Sequence, residues 1–395
     1  MIPSGAPMET AVLARSPGAG LALGWRRWLR PWTVAALLLA ALLVAEGVVR
    51  AIDARRGYSP HARSAWYWLF EQDPFLGYRG RAGAEAWITP RDLPQNADHV
   101  RHNADGFRDR RTLAEVAALP SRKLVVCVGD ANTYGLTAGG EDKTYPAALE
   151  RALRARSGDA SWVVFNAGMP GYTTHEILEL VKLRLLRLRP DVVLSMSLRN
   201  DHEQVTIFLD EHLDYDYYPL RMAPLSSTPV TDFFMRSALV GRLADRWRVR
   251  YVDDLGGRWP RHAYGEATAR GRQLYFDNVT LLADLCRRNG STLMLADQPI
   301  HYSTCSYGPS LIESVESMRR DLKATAAQVG APLLAAHDGF DWEGVEVRGD
   351  LLLASNESVL GPVGYERLAQ VLAPQVLAAY QRTRPAPAAG ARAGD

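Results

Sequence analysis

The 395-residue sequence predicts an α/β protein, a three-layer α/β/α parallel sheet preceded by an N-terminal transmembrane helix. Three observations predict it. β-branched runs alternate with helix-length amphipathic stretches from residue 122 to the last apolar helix. The turns after those runs are rich in Gly, Asn, Asp and Ser, as loops at the carboxyl edge of a parallel sheet are. An apolar run also stands near the amino terminus.

That run, "PWTVAALLLAALLVAEGVV" at Pro31–Val49, is apolar apart from Glu46. At helical rise it is about 30 Å long, the thickness of a bilayer's hydrocarbon core. Glu46 falls near one end, where a carboxylate reaches the interface. Arg26, Arg27 and Arg30 precede the run, with Arg15 and the amino terminus adding to that side; Arg50, Arg55 and Arg56 follow it. The reading is a signal anchor: residues 1–30 cytoplasmic, the span at 31–50, and the main domain periplasmic or otherwise extracytoplasmic. A cleaved signal peptide is the alternative, but the run is long and "LVAEG" is a poor small-residue cleavage site.

Residues 51–120 read as an irregular lead-in, rich in Pro, Gly, Arg and aromatics. The alternation then occupies 121–381. It predicts strand Lys123–Val128, helix Tyr145–Arg156, strand Ser161–Asn166, helix Thr174–Leu188 and strand Asp191–Met196. It resumes with helix Gln273–Arg288, strand Thr292–Ala296, helix Ile312–Val329, strand Pro332–Ala335 and helix Pro362–Tyr380. The gap, about 201–271, is too long for a plain loop and predicts an insertion or lid. Its Phe208–Tyr218 stretch interleaves acids with tyrosines, which suits either a sugar groove or a solvated lid face. Residues 382–395, "RTRPAPAAGARAGD" from Arg382, have no apolar periodicity and read as a disordered tail.

A formal charge of +2 and scattered arginines give no electrostatic case for nucleic acid. Cys127, Cys286 and Cys305 lack metal-ligand spacing; Cys127 and Cys286 read as buried fillers, and a Cys286–Cys305 disulfide is open to an oxidising compartment. The acidic spacing does not match a calcium loop, so no metal and no cofactor are expected.

Four turns lie where a parallel sheet carries its ligands: "GDANTYG" from Gly129, "NAGMPGYTT" from Asn166, "SLRND" from Ser197, and "ASNESVLGPVGY" from Ala354, before the last helix. In this order, with "GEDKTYPAALE" at Gly140–Glu150, they resemble the SGNH/GDSL hydrolase family. Upstream, "DPFLGYRG" at Asp73–Gly80 and "RHNADGFRD" at Arg101–Asp109 look like the lead-in of its membrane-anchored bacterial members. The resemblance implies a flavodoxin-like three-layer α/β/α fold and an acyl-ester hydrolase or acyltransferase chemistry on lipids or glycans.

Carried over position by position, the resemblance puts the family's nucleophilic serine at Ala131, its orienting aspartate at Asn356 and its general-base histidine at Val359. The glycine two places before the block-three asparagine becomes Leu198. The oxyanion donors are kept: the backbone N–H groups of Ala131 and Gly168, and the Asn200 amide. Asp130, Asn132 and Asp201 support the loops. An acyl-transfer triad needs an oxygen or sulfur nucleophile, an imidazole and a carboxylate, and these three positions supply none.

Other groups are weighed as replacements. Thr133, Thr173, Thr174, Ser195 and Ser197 are hydroxyls close by in sequence. His175 with Glu176 reads as a helix N-terminal pair, Asp130 as a loop cap, and His337-Asp338 as a turn. His301, just past a strand's carboxyl end, is the best spare base. Two function classes follow. One is a membrane-tethered pseudoenzyme that binds an acyl, carboxylate or glycan group, or assembles with envelope proteins in polysaccharide or lipid handling. The other is an acyl-ester hydrolase or O-acetyltransferase with displaced catalytic residues.

Overall fold

The computed structural model describes residues 31–56, 65–88, 97–201, 227–244, 246, 269–301, 309–341, 352–353 and 356–383. The chain divides into two compact units, Met1–Ala51 and Ile52–Asp395. The first holds most of α1 (Pro31–Arg55), the one described helix long and apolar enough to cross a membrane. It runs five residues past the expected end at residue 50. Glu46 meets Arg50 one turn on, at 2.7 Å. The expected segment 1–30 lies outside the described residues; of the expected tail 382–395, Arg382 and Thr383 still belong to the last helix and 384–395 lie outside the described residues.

The second unit is built on five parallel strands: β5 (Lys123–Gly129), β6 (Trp162–Asn166), β7 (Val192–Met196), β8 (Thr292–Ala296) and β9 (Leu333–Leu334). They run in the order β6-β5-β7-β8-β9. With the first strand placed between the second and third, the order of winding reverses between β5 and β7, and the carboxyl ends of these two parallel strands are where such a sheet forms its ligand crevice. β5 shows why the sheet is buried on both faces. Val125 and Cys127 enter one apolar cluster, Leu124, Val126 and Val128 the other, as the two-residue side-chain period of a strand requires.

The Val125 face is covered by α5 (Tyr145–Ser157) and the C-terminal helix, Pro362–Thr383, through Leu149, Leu153, Leu368 and Leu372. The other face is covered by α6 (Thr174–Leu180) and by helices Ala269–Arg288 and Pro309–Val329, through Ile177, Leu282 and Met318. The expected three-layer α/β/α architecture is therefore present, and the expected strands and helices recur within a few residues. One helix differs. Thr174–Leu188 keeps α-geometry to Leu180, widens to a π-turn over Val181–Leu185 and tightens over Leu186–Leu188, ending at Arg189 with φ +47° ahead of Pro190.

Two segments are more ordered than the sequence implied. The lead-in holds α2 (Ala65–Leu69), α3 (Leu113–Ala118) and two antiparallel pairs. These are β1 (Phe70–Asp73) with β2 (Gly77–Gly80), and β3 (Glu85–Ile88) with β4 (Asp98–Arg101). Four-residue strands are too short to show periodicity, so this part read as irregular. It packs into the same cluster as the sheet through Phe70, Tyr78, Val100 and Phe107. The segment before the last helix, read as a loop, pairs β10 (Leu352–Leu353) with β11 (Asn356–Leu360). In the 201–271 insertion the described part includes α7 (Pro229–Met235), followed by helical residues 238–244. Phe208–Tyr218 and Cys305 lie outside the described residues, and Cys127 and Cys286 are buried thiols.

Both margins of the sheet are closed by side chains. Along β6, Glu150 accepts from the Val164 N–H at 2.8 Å, Asp109 accepts from the Asn166 N–H at 2.9 Å, and Arg111 donates to the Val164 carbonyl at 2.6 Å. Just past β9, the Gln375 amide takes the Ala335 N–H at 2.8 Å and donates to its carbonyl at 3.4 Å.

Candidate functional site

The crevice between β5 and β7 is headed by α4 (Ala131–Tyr134), a single helical turn with Ala131 at its first position. Asp130 caps it, one carboxylate oxygen accepting from the Asn132 N–H at 2.9 Å and the other from the Gln298 amide at 3.0 Å. Gly135 ends it with φ +81°, in the left-handed region that glycine enters at low cost. A turn this short has no stability of its own, so neighbours must hold it.

They do so from several sides. From the lead-in, the buried His102 Nε2 meets the Tyr134 hydroxyl at 2.8 Å, and Arg108 donates to the Gly135 carbonyl at 2.6 Å while paired with Asp98 at 2.7 and 2.9 Å. Arg108 and Asp98 are both sealed from solvent. From the far end of the chain, Tyr365 donates to the Leu136 carbonyl at 2.8 Å, and the Leu360 N–H donates to Asn132 Oδ1 at 2.8 Å. From below, Gly129 and Gly168 allow the turn to sit directly on neighbouring backbone. A Cβ at Gly129 would lie 2.3 Å from the Met196 carbonyl oxygen, and one at Gly168 would lie 2.3 Å from the Tyr134 nitrogen.

The structure thus brings together most of the positions that the sequence analysis singled out. Asn132 is bonded to Leu360, the neighbour of Val359, so β11 lies against α4. Val359 is buried. Asn356 begins β11, and its side chain lies outside the described residues. The Gly168 N–H donates to Asn166 Oδ1 at 3.0 Å, and the Asn200 amide donates to the Tyr172 carbonyl at 3.1 Å. Both groups are engaged inside the protein. The Ala131 N–H, in the first turn, has no intrahelical acceptor. Leu198 is fully buried, a core side chain at the position where the resemblance implies glycine.

Among the spare groups, His301 is half-buried beyond β8, and burial lowers its pKa. The N–H of its neighbour Ile300 donates to His337 Nδ1 at 3.3 Å, and the His337 N–H donates to Asp297 at 2.9 Å. His337 therefore serves the turn after β9. Thr173 and Glu176 form a capping box for α6, consistent with a helix N-terminal role. Among the described residues, no group of three or more His, Cys, Asp or Glu could hold a metal ion.

Sequence reasoning named Asp130 and Asp201 as loop supports and Glu176 as part of a helix start, but missed that their carboxylates are buried and coupled to one another. Thr174 gives its N–H and hydroxyl to Asp201 Oδ1, at 2.8 and 2.6 Å, and Thr173 does the same for Glu176 Oε2, at 2.7 and 2.6 Å. The second oxygens, Asp201 Oδ2 and Glu176 Oε1, are buried without hydrogen-bond partners. Burial raises Asp130 to about 6, Asp201 to about 7 and Glu176 to about 8, with Asp201 adding to Glu176's rise and Asp130 to that of Asp201. The signal in the sequence was a Thr-Thr-His-Glu helix start facing an Asn-Asp turn, each half of which reads as ordinary alone.

Acids raised in this way hold protons that the unfolded chain gives up, so their contribution is whole below about pH 4 and drains as pH rises to about 8. His102, pushed down to about 4 by burial, acts oppositely and costs stability as pH falls from about 6.5. The expected result is an unfolding midpoint that falls between about pH 4 and 8 in calorimetry, with His102 offsetting part of the fall below about pH 6.5. The Glu176→Gln variant should flatten that fall; an unchanged slope would mean Glu176 is ionised in the fold.

No family model matches the chain, and no curated protein matches it. Solved structures do. A lipase/acylhydrolase from Enterococcus faecalis is 15% identical, with 67% of this chain and 100% of that one covered at a TM-score of 0.41. An acetyl-xylooligosaccharide esterase variant from Geobacillus is 13% identical, covering 66% and 95% at 0.41. A GDSL-like lipase from Bacteroides thetaiotaomicron is 13% identical, covering 69% and 96% at 0.37. The strand order, with the glycine- and asparagine-bearing turns along its carboxyl edge, is that of a flavodoxin-like three-layer α/β/α fold.

Proposed function

We propose that this chain is a membrane-tethered SGNH/GDSL-like protein of the cell envelope that has no ester-cleaving turnover. It serves polysaccharide or lipid handling by binding an acyl, carboxylate or glycan group or by assembling with envelope proteins. In this reading α1 stays in the membrane, the residues before it are cytoplasmic, and the α/β domain lies outside.

The observation that supports it best is Ala131 at the head of α4, with Val359 beside the residue bonded to its neighbour Asn132. A methyl group cannot attack, and a buried isopropyl group cannot take a proton. The engaged Gly168 N–H and Asn200 amide add to this, because an incoming carbonyl oxygen would have to displace the partners they already have. Fold alone would not settle activity either way.

The full chain in detergent is expected to give no fluorophosphonate labelling and no p-nitrophenyl acetate turnover above background. Ala131→Ser alone should also stay silent, because a serine without a base is a weak nucleophile. Turnover by the unmodified chain that disappears with His301→Ala would replace this reading by a rearranged hydrolase. Titration calorimetry with acetylated glycans and simple carboxylates separates the two silent roles: heat supports binding, and none leaves assembly.

A further inference from the structure

The second half of the insertion presents an apolar face for which neither the sheet nor its loops account. In α7, Val230, Phe233 and Phe234 are 64%, 69% and 54% exposed, while Met235 is buried. The spacing i, i+3, i+4 places the three on one stripe. Leu243, in the helical residues that follow, is 58% exposed, and Arg236, next in sequence to α7, and Arg246 are exposed as well. Two adjacent phenylalanines turned to water on a seven-residue helix gain nothing for folding.

The opposite side of α7 is fastened to the start of the domain. The Tyr67 hydroxyl of α2 donates to Asp232 at 2.5 Å and lies 3.0 Å from the Thr231 hydroxyl, and Arg81 reaches Ser227 at 3.3 Å. α2 begins at Ala65, ten residues after α1 ends at Arg55. Ten residues span at most about 35 Å even when fully extended. Once α1 crosses a bilayer, α7 is therefore held within reach of its surface by a short leash and a hydrogen-bonded tyrosine. An apolar stripe flanked by arginines is the composition of a segment that lies in the headgroup region.

We propose that the Val230–Phe233–Phe234 face of α7 is a second membrane contact, seated in the headgroup layer of the bilayer that α1 spans. This rests on the tethered reading above. It gives the insertion a task at the lipid surface, setting how the crevice between β5 and β7 faces along the membrane.

The test uses the full chain with Cys305→Ser, reconstituted in phosphatidylcholine–phosphatidylglycerol vesicles carrying nitroxide-labelled lipid. Three single-cysteine variants, Ala40→Cys in α1, Phe234→Cys in α7 and Arg151→Cys on α5, each carry an environment-sensitive fluorophore. Native Cys127 and Cys286 are buried and out of the reagent's reach. Quenching at position 234 is expected to exceed that at 151 by about twofold or more and to fall when Phe233→Asp is added. Quenching at 40 but not at 234 overturns the proposal while leaving the anchor intact, whether the probe then reports water or a covering protein segment. Quenching at 234 without quenching at 40 supports the contact and removes the spanning helix. Quenching at neither position removes both.

Discussion

Asp98→Ala is expected to cost about 3–5 kcal/mol of stability, the range found when one partner of a fully buried ion pair is removed. Asp98 faces Arg108 at 2.7 and 2.9 Å with both side chains at zero exposure, so the substitution leaves a guanidinium with neither water nor counter-ion. The damage should not stay local. Arg108 also holds the Gly135 carbonyl at the end of α4 and lies 5.4 Å from the Tyr134 ring centre. Denaturant unfolding of the full chain measures the cost, and hydrogen exchange at Tyr134 and Gly135 reports whether α4 loosens. Combining Asp98→Leu with Arg108→Met should recover much of the loss, because a matched apolar pair carries no buried charge. A single variant within 1 kcal/mol of the parent (about the scatter of surface changes) would mean that water reaches Arg108.

Gly168→Ala is the second large effect, by a different mechanism. The added methyl would lie 2.3 Å from the Tyr134 nitrogen and 2.5 Å from the Thr133 carbonyl carbon. Both are backbone atoms of α4 and cannot rotate away. Overpacking costs about 1–3 kcal/mol where side chains can yield, and the upper end or more is expected where they cannot. The turn bearing Ala131 must then lift from the sheet, stretching the Leu360–Asn132 and His102–Tyr134 bonds. A lowered unfolding midpoint with faster exchange at Asn132 is the expected result. Gly158→Ala, where a Cβ has open space but φ is +68°, gives the strain-only comparison and should cost about 1 kcal/mol.

The parallel sheet was legible in the sequence because its strands are buried on both faces and so read as unbroken runs, such as Leu124–Val128. The loop positions after β5, β6 and β7 were legible because each follows such a run directly. The lead-in was not. Its strands are four residues long, and its weight is carried by Asp98, His102 and Arg108, polar residues whose burial no hydropathy pattern announces. The Glu176–Asp201 arrangement was hidden for a related reason: it joins residues 25 positions apart through two threonines that look like helix caps. Gln298, which ties Asp130 to the Arg199 N–H, is likewise visible only in three dimensions.

The bonds that Glu150, Asp109, Arg111 and Gln375 make along the sheet margins bear on how such chains live at high local density. Molecules tethered to one surface meet often, and a bare strand would invite its neighbour's to zip onto it. Here β6 and the residue just past β9 are already occupied by the chain's own side chains, so crowding does not by itself seed fibrous stacking.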